Sequence, residues 1–236
     1  MLESTSSRHV LIELEDLRAE DPPPLVRDNR QALERIVEWA RGFLWHNHPE
    51  LGRSGPVCPF ARPSMERETF FLAITRGGDV EEEIARSILL EYRDWFFELE
   101  PRRGRWAQYK TILVLFPDVR PADAPRVIDR VQEALKEDFV QKGLMLGQFH
   151  PRSDEGGLWN PDFRPLRAPV PLLGIRHMVP TDFPFLRDDR ELLAVYLERF
   201  GQELPPKLEM EIRETAAQFD LSIGPPEPET DSGDQS

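Results

Sequence analysis

Apolar residues recur at spacings of three and four near the start of the chain: Leu33, Ile36, Val37, Ala40, Phe43 and Leu44. That period turns one stripe of a helix toward a core. Asp28 or Asn29 can cap its start. Asn47-His48-Pro49 stops it, because a residue before proline is pushed out of the helical region. The pattern then changes. Phe70 to Ile74 is a short β-rich run ahead of Gly77-Gly78, and Asp79 with Glu82 reads as a capping box. The helix it opens carries Ile84, Ile88, Tyr92, Trp95, Phe96 and Leu99 on its apolar face.

Thr111 to Phe116 is a continuous apolar run of strand length, the pattern of a central strand covered on both faces. A third helix, about Asp123 to Val140, carries Val127, Val131, Leu135 and Phe139. Gly143 ends it, and Leu144 to Phe149 reads as another strand. Leu172 to Met178 fits a short helix or a strand equally. Two helices follow, one with Leu192, Leu193, Tyr196, Leu197 and Phe200, the other with Leu208, Ile212 and Phe219.

The order β-α-β-α-β predicts an α/β fold: a small mixed sheet of three to five strands flanked by helices, with two C-terminal helices added. Residues 1–28 read as a loose lead-in ending in Pro22-Pro23-Pro24. Residues 29–221 form a single α/β domain in this reading, and 222–236 a disordered acidic tail. The long stretch 151–171 has no periodicity. Trp159, Phe163, Leu166 and its arginines predict an ordered loop packed on the domain, of the kind that carries function.

Composition narrows the partners. Among 236 residues, 39% are hydrophobic and 31% charged, and five Trp and fourteen Phe can fill an interior. The formal net charge of −13 argues against a general nucleic-acid binder or an anionic-membrane protein. No apolar run approaches the roughly 20 residues of a membrane span, and no secretory leader is visible. The single cysteine, Cys58, fits a reducing compartment, and the expected location is cytoplasmic.

The candidate chemistry rests on few residues. His150 follows an apolar strand and opens the long loop, where α/β proteins place reactive groups. His177 sits in Arg176-His177-Met178 with apolar neighbours. Each can equally be a hydrogen-bonded structural histidine. His46 and His48 lie two apart at a helix end, a spacing that suits chelation from an extended segment or a frayed end with no role. Cys58 in Val57-Cys58-Pro59-Phe60 is either a reactive thiol or a buried packing residue. Arg164, Arg167 and Arg176 can form an anion clamp, or tie the loop down through Asp154, Asp162 and Asp182. Arg102, Arg103, Arg105 and Lys110 surround Trp106 in a pattern that resembles a nucleic-acid patch but reads as a solvated basic turn. GxGxxG after a strand, Walker A, GxSxG and HExxH are all absent from the sequence.

Three islands carry a resemblance. Cys58-Pro59-Phe60-Ala61-Arg62, Lys110-Thr111-Ile112-Leu113-Val114, and Gly147-Gln148-Phe149-His150-Pro151 with Arg167 to Met178 stand in an order similar to an uncharacterised bacterial family. That family has Cys-Pro-Phe-Ala and Phe-His-Pro motifs, and Arg167-Ala168-Pro169-Val170-Pro171 resembles its later Arg-Ser-Pro-Tyr-Pro segment. More distantly the chain resembles YcgG-type heme-dependent N-oxygenases. That second resemblance implies heme, with His150 or His177 as the iron ligand, and Cys58 beside it in the pocket.

The reading is then of a site gathering Cys58, His150, Arg164, Arg167, Arg176 and His177 around a small anionic or amino-acid-like molecule, in an enzyme of bacterial secondary or nitrogen metabolism that the resemblance implies is heme-dependent and oxygenase-like. The alternative is a non-catalytic binding or partner protein using its acidic surface. A metal-dependent hydrolase built on the histidines and nearby acids stands third.

Overall fold

The computed structural model describes residues 1–4, 8–78 and 80–223. Its first half runs β1 (Leu2–Glu3), β2 (Val10–Leu11), α1 (Pro24–Asp28), α2 (Arg30–Trp39), α3 (Ala61–Glu66), β3 (Phe70–Ile74) and α4 (Glu82–Phe96). There follow β4 (Thr111–Leu115), α5 (Arg130–Gln141), β5 (Leu144–Phe149), β6 (Leu172–His177), α6 (Arg190–Phe200) and α7 (Glu209–Gln218). Asp79 of the expected capping box lies outside the described residues, as does the acidic tail from 224 on.

The fold is α/β with a mixed sheet. Its order is β3-β4-β6-β5, with β3 parallel to β4 and the two other pairings antiparallel. β4 occupies an inner position, as its unbroken apolar run requires. Ile112 and Val114 point to one face, where α4 and α5 supply Leu89, Phe96, Leu135 and Phe139. Leu113 and Leu115 point to the other, against Leu33, Ile36 and Ala40 of the first predicted stripe. Two helical layers therefore enclose the sheet, and each consumes one of the periodic patterns seen in the sequence.

Leu172–His177 is a strand, paired on both sides. Its lack of alternation follows from burial on both faces. Gly174 stands opposite Gly147 in register. A side chain at Gly174 would meet Leu113 Cδ2 at 3.1 Å and the Phe149 ring at 3.4 Å. The glycine pair thus makes the floor on which Phe149 lies. Gly174→Val is expected to destabilise the fold by about 1–3 kcal/mol through overpacking, read as a lowered urea midpoint. An unchanged midpoint would contradict this packing.

The lead-in is not loose where it is described. β1 and β2 pair, and Ile12 exchanges two backbone hydrogen bonds with Leu72, of 2.7 and 2.9 Å. Leu11, Ile12 and Val26 are fully buried. The segment covers the outer edge of β3, an edge that would otherwise stand unpaired. No local pattern announces this, because the pairing is with residues sixty positions away.

The chain divides into two compact units, Met1–His177 and a second beginning at Met178. The second unit contains a 3-10 turn, Pro180–Phe185, with α6 and α7. Asp189 caps α6 by accepting the Leu192 N–H at 3.0 Å. The Tyr196 hydroxyl donates to the Pro180 carbonyl at 2.7 Å, and burial, with Asp182 nearby, pushes this phenol up to about 12. An Arg187–Glu211 ion pair also lies within this unit. Among the described residues no helix is long and apolar enough to cross a membrane.

Candidate functional site

In the first unit, α2 runs into a π turn, Ala40–Leu44. Trp39 and Phe43 lie four apart at the margin of the buried stripe, half-exposed rather than sealed in the core. The chain then leaves the helix, and His48 is extended. Its ring Nδ1 accepts the Glu50 N–H at 3.2 Å, which starts the turn Pro49–Leu51. Backbone bonds from Val57 to His46 (2.9 Å) and Cys58 to Leu44 (3.0 Å) close this loop on itself.

The long loop closes against it. Gly157 N–H donates to the Phe163 carbonyl at 2.9 Å and Phe163 N–H to Asn160 at 3.2 Å, a tight return that needs glycine's small size. A Cβ at Gly156 would fall 2.8 Å from the Pro161 oxygen. The Asn160 side chain donates to the Glu50 carbonyl at 2.8 Å. At Gly52, where φ is +76°, a Cβ would lie 2.8 Å from Trp159. The two loops are held together by backbone fit as much as by side chains.

Between them the rings gather. His48 stacks on Phe163 at 4.6 Å, and Phe43 meets both, at 5.8 and 6.1 Å. Trp39 stands 6.2 Å from Phe43 and edge-on to Phe149 at 5.8 Å. Together with Glu50, Asp162, Arg164 and Arg167, the residues Trp39, Phe43, His48 and Phe163 line a groove of about 410 Å³. That volume suits a small molecule, and apolar walls with a few polar groups are the usual make-up of such a site.

The two arginines differ in what they have left to offer. Arg167 donates Nε to the Ser153 carbonyl at 2.9 Å and Nη2 to Asp154 at 3.1 Å, so it ties the loop down. Arg164 uses only Nη1, toward the Pro161 and Phe163 carbonyls. Its Nε and Nη2 edge remains unspent, and that edge is the fork that takes a carboxylate in bidentate geometry. Neither Glu50 nor Asp162 is paired with an arginine.

The other residues singled out in the sequence are elsewhere. His150 is fully buried at the end of β5, and its Nε2 bonds Asp129 at 2.9 and 3.2 Å. Its Nδ1 accepts the Arg152 N–H at 3.2 Å, which assigns the proton to Nε2. Both ring nitrogens are thus engaged, and no lone pair is left for iron. His177 ends β6 at the opposite end of the hairpin, where the register with β5 puts it about 20 Å from His150. Its ring packs edge-on to Phe96 at 4.9 Å. The Arg176 guanidinium lies over Phe60 at 5.1 Å. Cys58 is half-buried and packs at the margin of the core around α2. The expected gathering of six therefore does not form: Arg164 and Arg167 share the groove, and the others do not line it. Among the described residues no group of three or more His, Cys, Asp or Glu could hold a metal ion, and the histidines do not fit heme ligation from a common pocket.

Sequence reasoning left out Trp39, Phe43 and Glu50 as site residues, and weighed His48 only as a chelating partner of His46. Trp39 and Phe43 belong to a helix whose stripe reads as core. The usable hint was two aromatic residues four apart, just before a loop that also carries a histidine.

A family model described as a domain of unknown function (DUF6875) matches residues 33–211. No curated protein and no solved structure matches the chain. The expectation of an uncharacterised family agrees with this; the likeness to YcgG-type heme enzymes finds no support in it.

Proposed function

The chain belongs to the DUF6875 family, and we propose that its first unit binds a small amino-acid-like zwitterion in the groove between the two loops. One observation carries the reading. A guanidinium with an unspent fork and two carboxylates without arginine partners share a groove walled by aromatic rings. In this arrangement Arg164 takes the ligand carboxylate. Glu50 and Asp162 face its ammonium, and Trp39, Phe43 and Phe163 cover an apolar side chain. Arg167 positions the loop through Ser153 and Asp154 rather than meeting the ligand.

The test is calorimetric titration with a panel of free amino acids, their methyl esters and their N-acetyl forms. An apolar or aromatic amino acid is expected to bind, and both blocked forms to bind at least about tenfold more weakly. A charge-assisted bond contributes roughly 1.5–3 kcal/mol, so Arg164→Gln should cost tenfold or more in affinity, with a thermal melt checking that the variant remains folded without the Nη1 bonds to Pro161 and Phe163. If no amino acid binds, or if Arg164→Gln binds as the natural protein does, the reading fails.

A further inference from the structure

The turn around Trp106 reads as merely solvated in sequence, yet in the structure it is part of an ordered ladder. Arg67 and Arg105 lie 3.8 and 4.0 Å from the centroid of the Trp106 ring. Two guanidinium groups that near one centroid would overlap on a single face, so they cover opposite faces, with carbons roughly 8 Å apart. The series continues: Arg67 also lies 5.5 Å from the Tyr109 ring, Tyr109 contacts Phe60 at 6.2 Å, and Arg176 lies over Phe60.

Charge makes this ladder unusual. The chain carries a net −13, and of the arginines nearby Arg62 pairs with Glu66 and Arg102 with Glu100, while Arg103 is exposed with no ion pair among the described residues. Among the described residues Arg67 and Arg105 make no ion pair. Both are exposed, and Trp106 between them is 40% exposed. A guanidinium stacked by its face keeps its N–H edge for a planar acceptor, and stacking fixes that edge before any partner arrives.

We propose that this ladder docks a short acidic peptide segment of a partner protein, its carboxylates taken by the edges of Arg67 and Arg105. A single-stranded nucleic acid would need an open aromatic face for its bases, and both faces of Trp106 are already covered. A short acidic stretch needs only two carboxylates spaced to meet the two guanidinium edges, and its remaining residues need no contact with the chain. This surface is separate from the groove and does not depend on what the groove holds.

The test is fluorescence anisotropy with labelled hexaglutamate and labelled oligo-dT of matching charge, on the full chain, at low and at physiological salt. Hexaglutamate is expected to bind, more weakly as salt rises. Arg67→Gln with Arg105→Gln should weaken it by at least about tenfold. Arg199→Gln with Lys207→Gln removes the same charge from exposed positions elsewhere and should leave binding within about twofold. Thermal melts of both double variants check that each remains folded. Absence of hexaglutamate binding at low salt, or equal losses in the two double variants, would overturn the proposal. Tighter binding of oligo-dT would overturn the peptide assignment in favour of single-stranded nucleic acid.

Discussion

Phe163→Ala is expected to lower the unfolding free energy of the first unit by about 3 kcal/mol and to abolish the groove as a binding site. The ring is 5% exposed despite its place in a loop, and it is the element on which His48 stacks. Truncating a buried phenylalanine costs about 3–5 kcal/mol in a rigid core, and a loop that can partly collapse puts the value at the lower end. The backbone of residue 163 keeps its bonds to Asn160 and Gly157, so the loss is one of packing. Phe163→Leu separates the two effects. It should retain most of the stability and still weaken amino-acid binding several-fold, because the flat wall is gone. Urea unfolding and calorimetry on the same samples decide; an alanine variant with an unshifted midpoint would mean that the loop packs differently.

The second large effect is one of pH, and it belongs to Lys110. This side chain is fully buried, its Nζ bonded to the Leu99 carbonyl at 2.7 Å and the Pro101 carbonyl at 3.3 Å, with the Phe96 ring 4.5 Å away. Carbonyls and a ring solvate an ammonium poorly compared with water, and burial lowers its pKa from 10.5 to about 8. Between those values the unfolded chain holds the proton and the folded one releases it. Stability therefore rises with pH across that window. From pH 7 to pH 9.5 the gain should reach about 2 kcal/mol, and Lys110→Met should lack it. The comparison stops at pH 9.5 because the tyrosines act with the opposite sign. Burial raises the hydroxyls of Tyr92 and Tyr196, so the unfolded chain ionises first and stability is lost above pH 10. Parallel stability curves for the natural protein and Lys110→Met would refute the assignment.

What could be read from the sequence was what depends on neighbours in the chain. The stripe from Leu33 to Leu44 and the run Thr111 to Leu115 declare their burial through spacing alone, and both sit where those patterns place them. Leu172–His177 resists assignment because burial on both faces erases alternation and Gly174 interrupts the apolar run. The N-terminal pairing escapes because Ile12 gains its partner, Leu72, only through the tertiary fold. The groove escapes for the same reason. Its aromatic residues come from Trp39 to His48 and from Phe163, and the second set arrives in the connection between β5 and β6. His150 illustrates a different limit. Its position after a strand was visible, but its partner Asp129 lies in the π turn ahead of α5. That partnership converts a candidate ligand into a structural bond.

The hairpin of β5 and β6 also has a kinetic meaning. Six residue pairs join these strands, yet their connection is the whole of residues 150–171, the segment that builds one side of the groove. Joining the strands requires closing that segment, whose entropic cost must be met before the pairing repays it. Contacts such as His150–Asp129 and Arg167–Ser153 shorten the effective span by folding the connection back on the domain. The loop that walls the groove is thus also the loop that must compact before the sheet closes. Sequence changes that loosen it are expected to slow folding as well as reshape the groove, which stopped-flow refolding of loop variants would read.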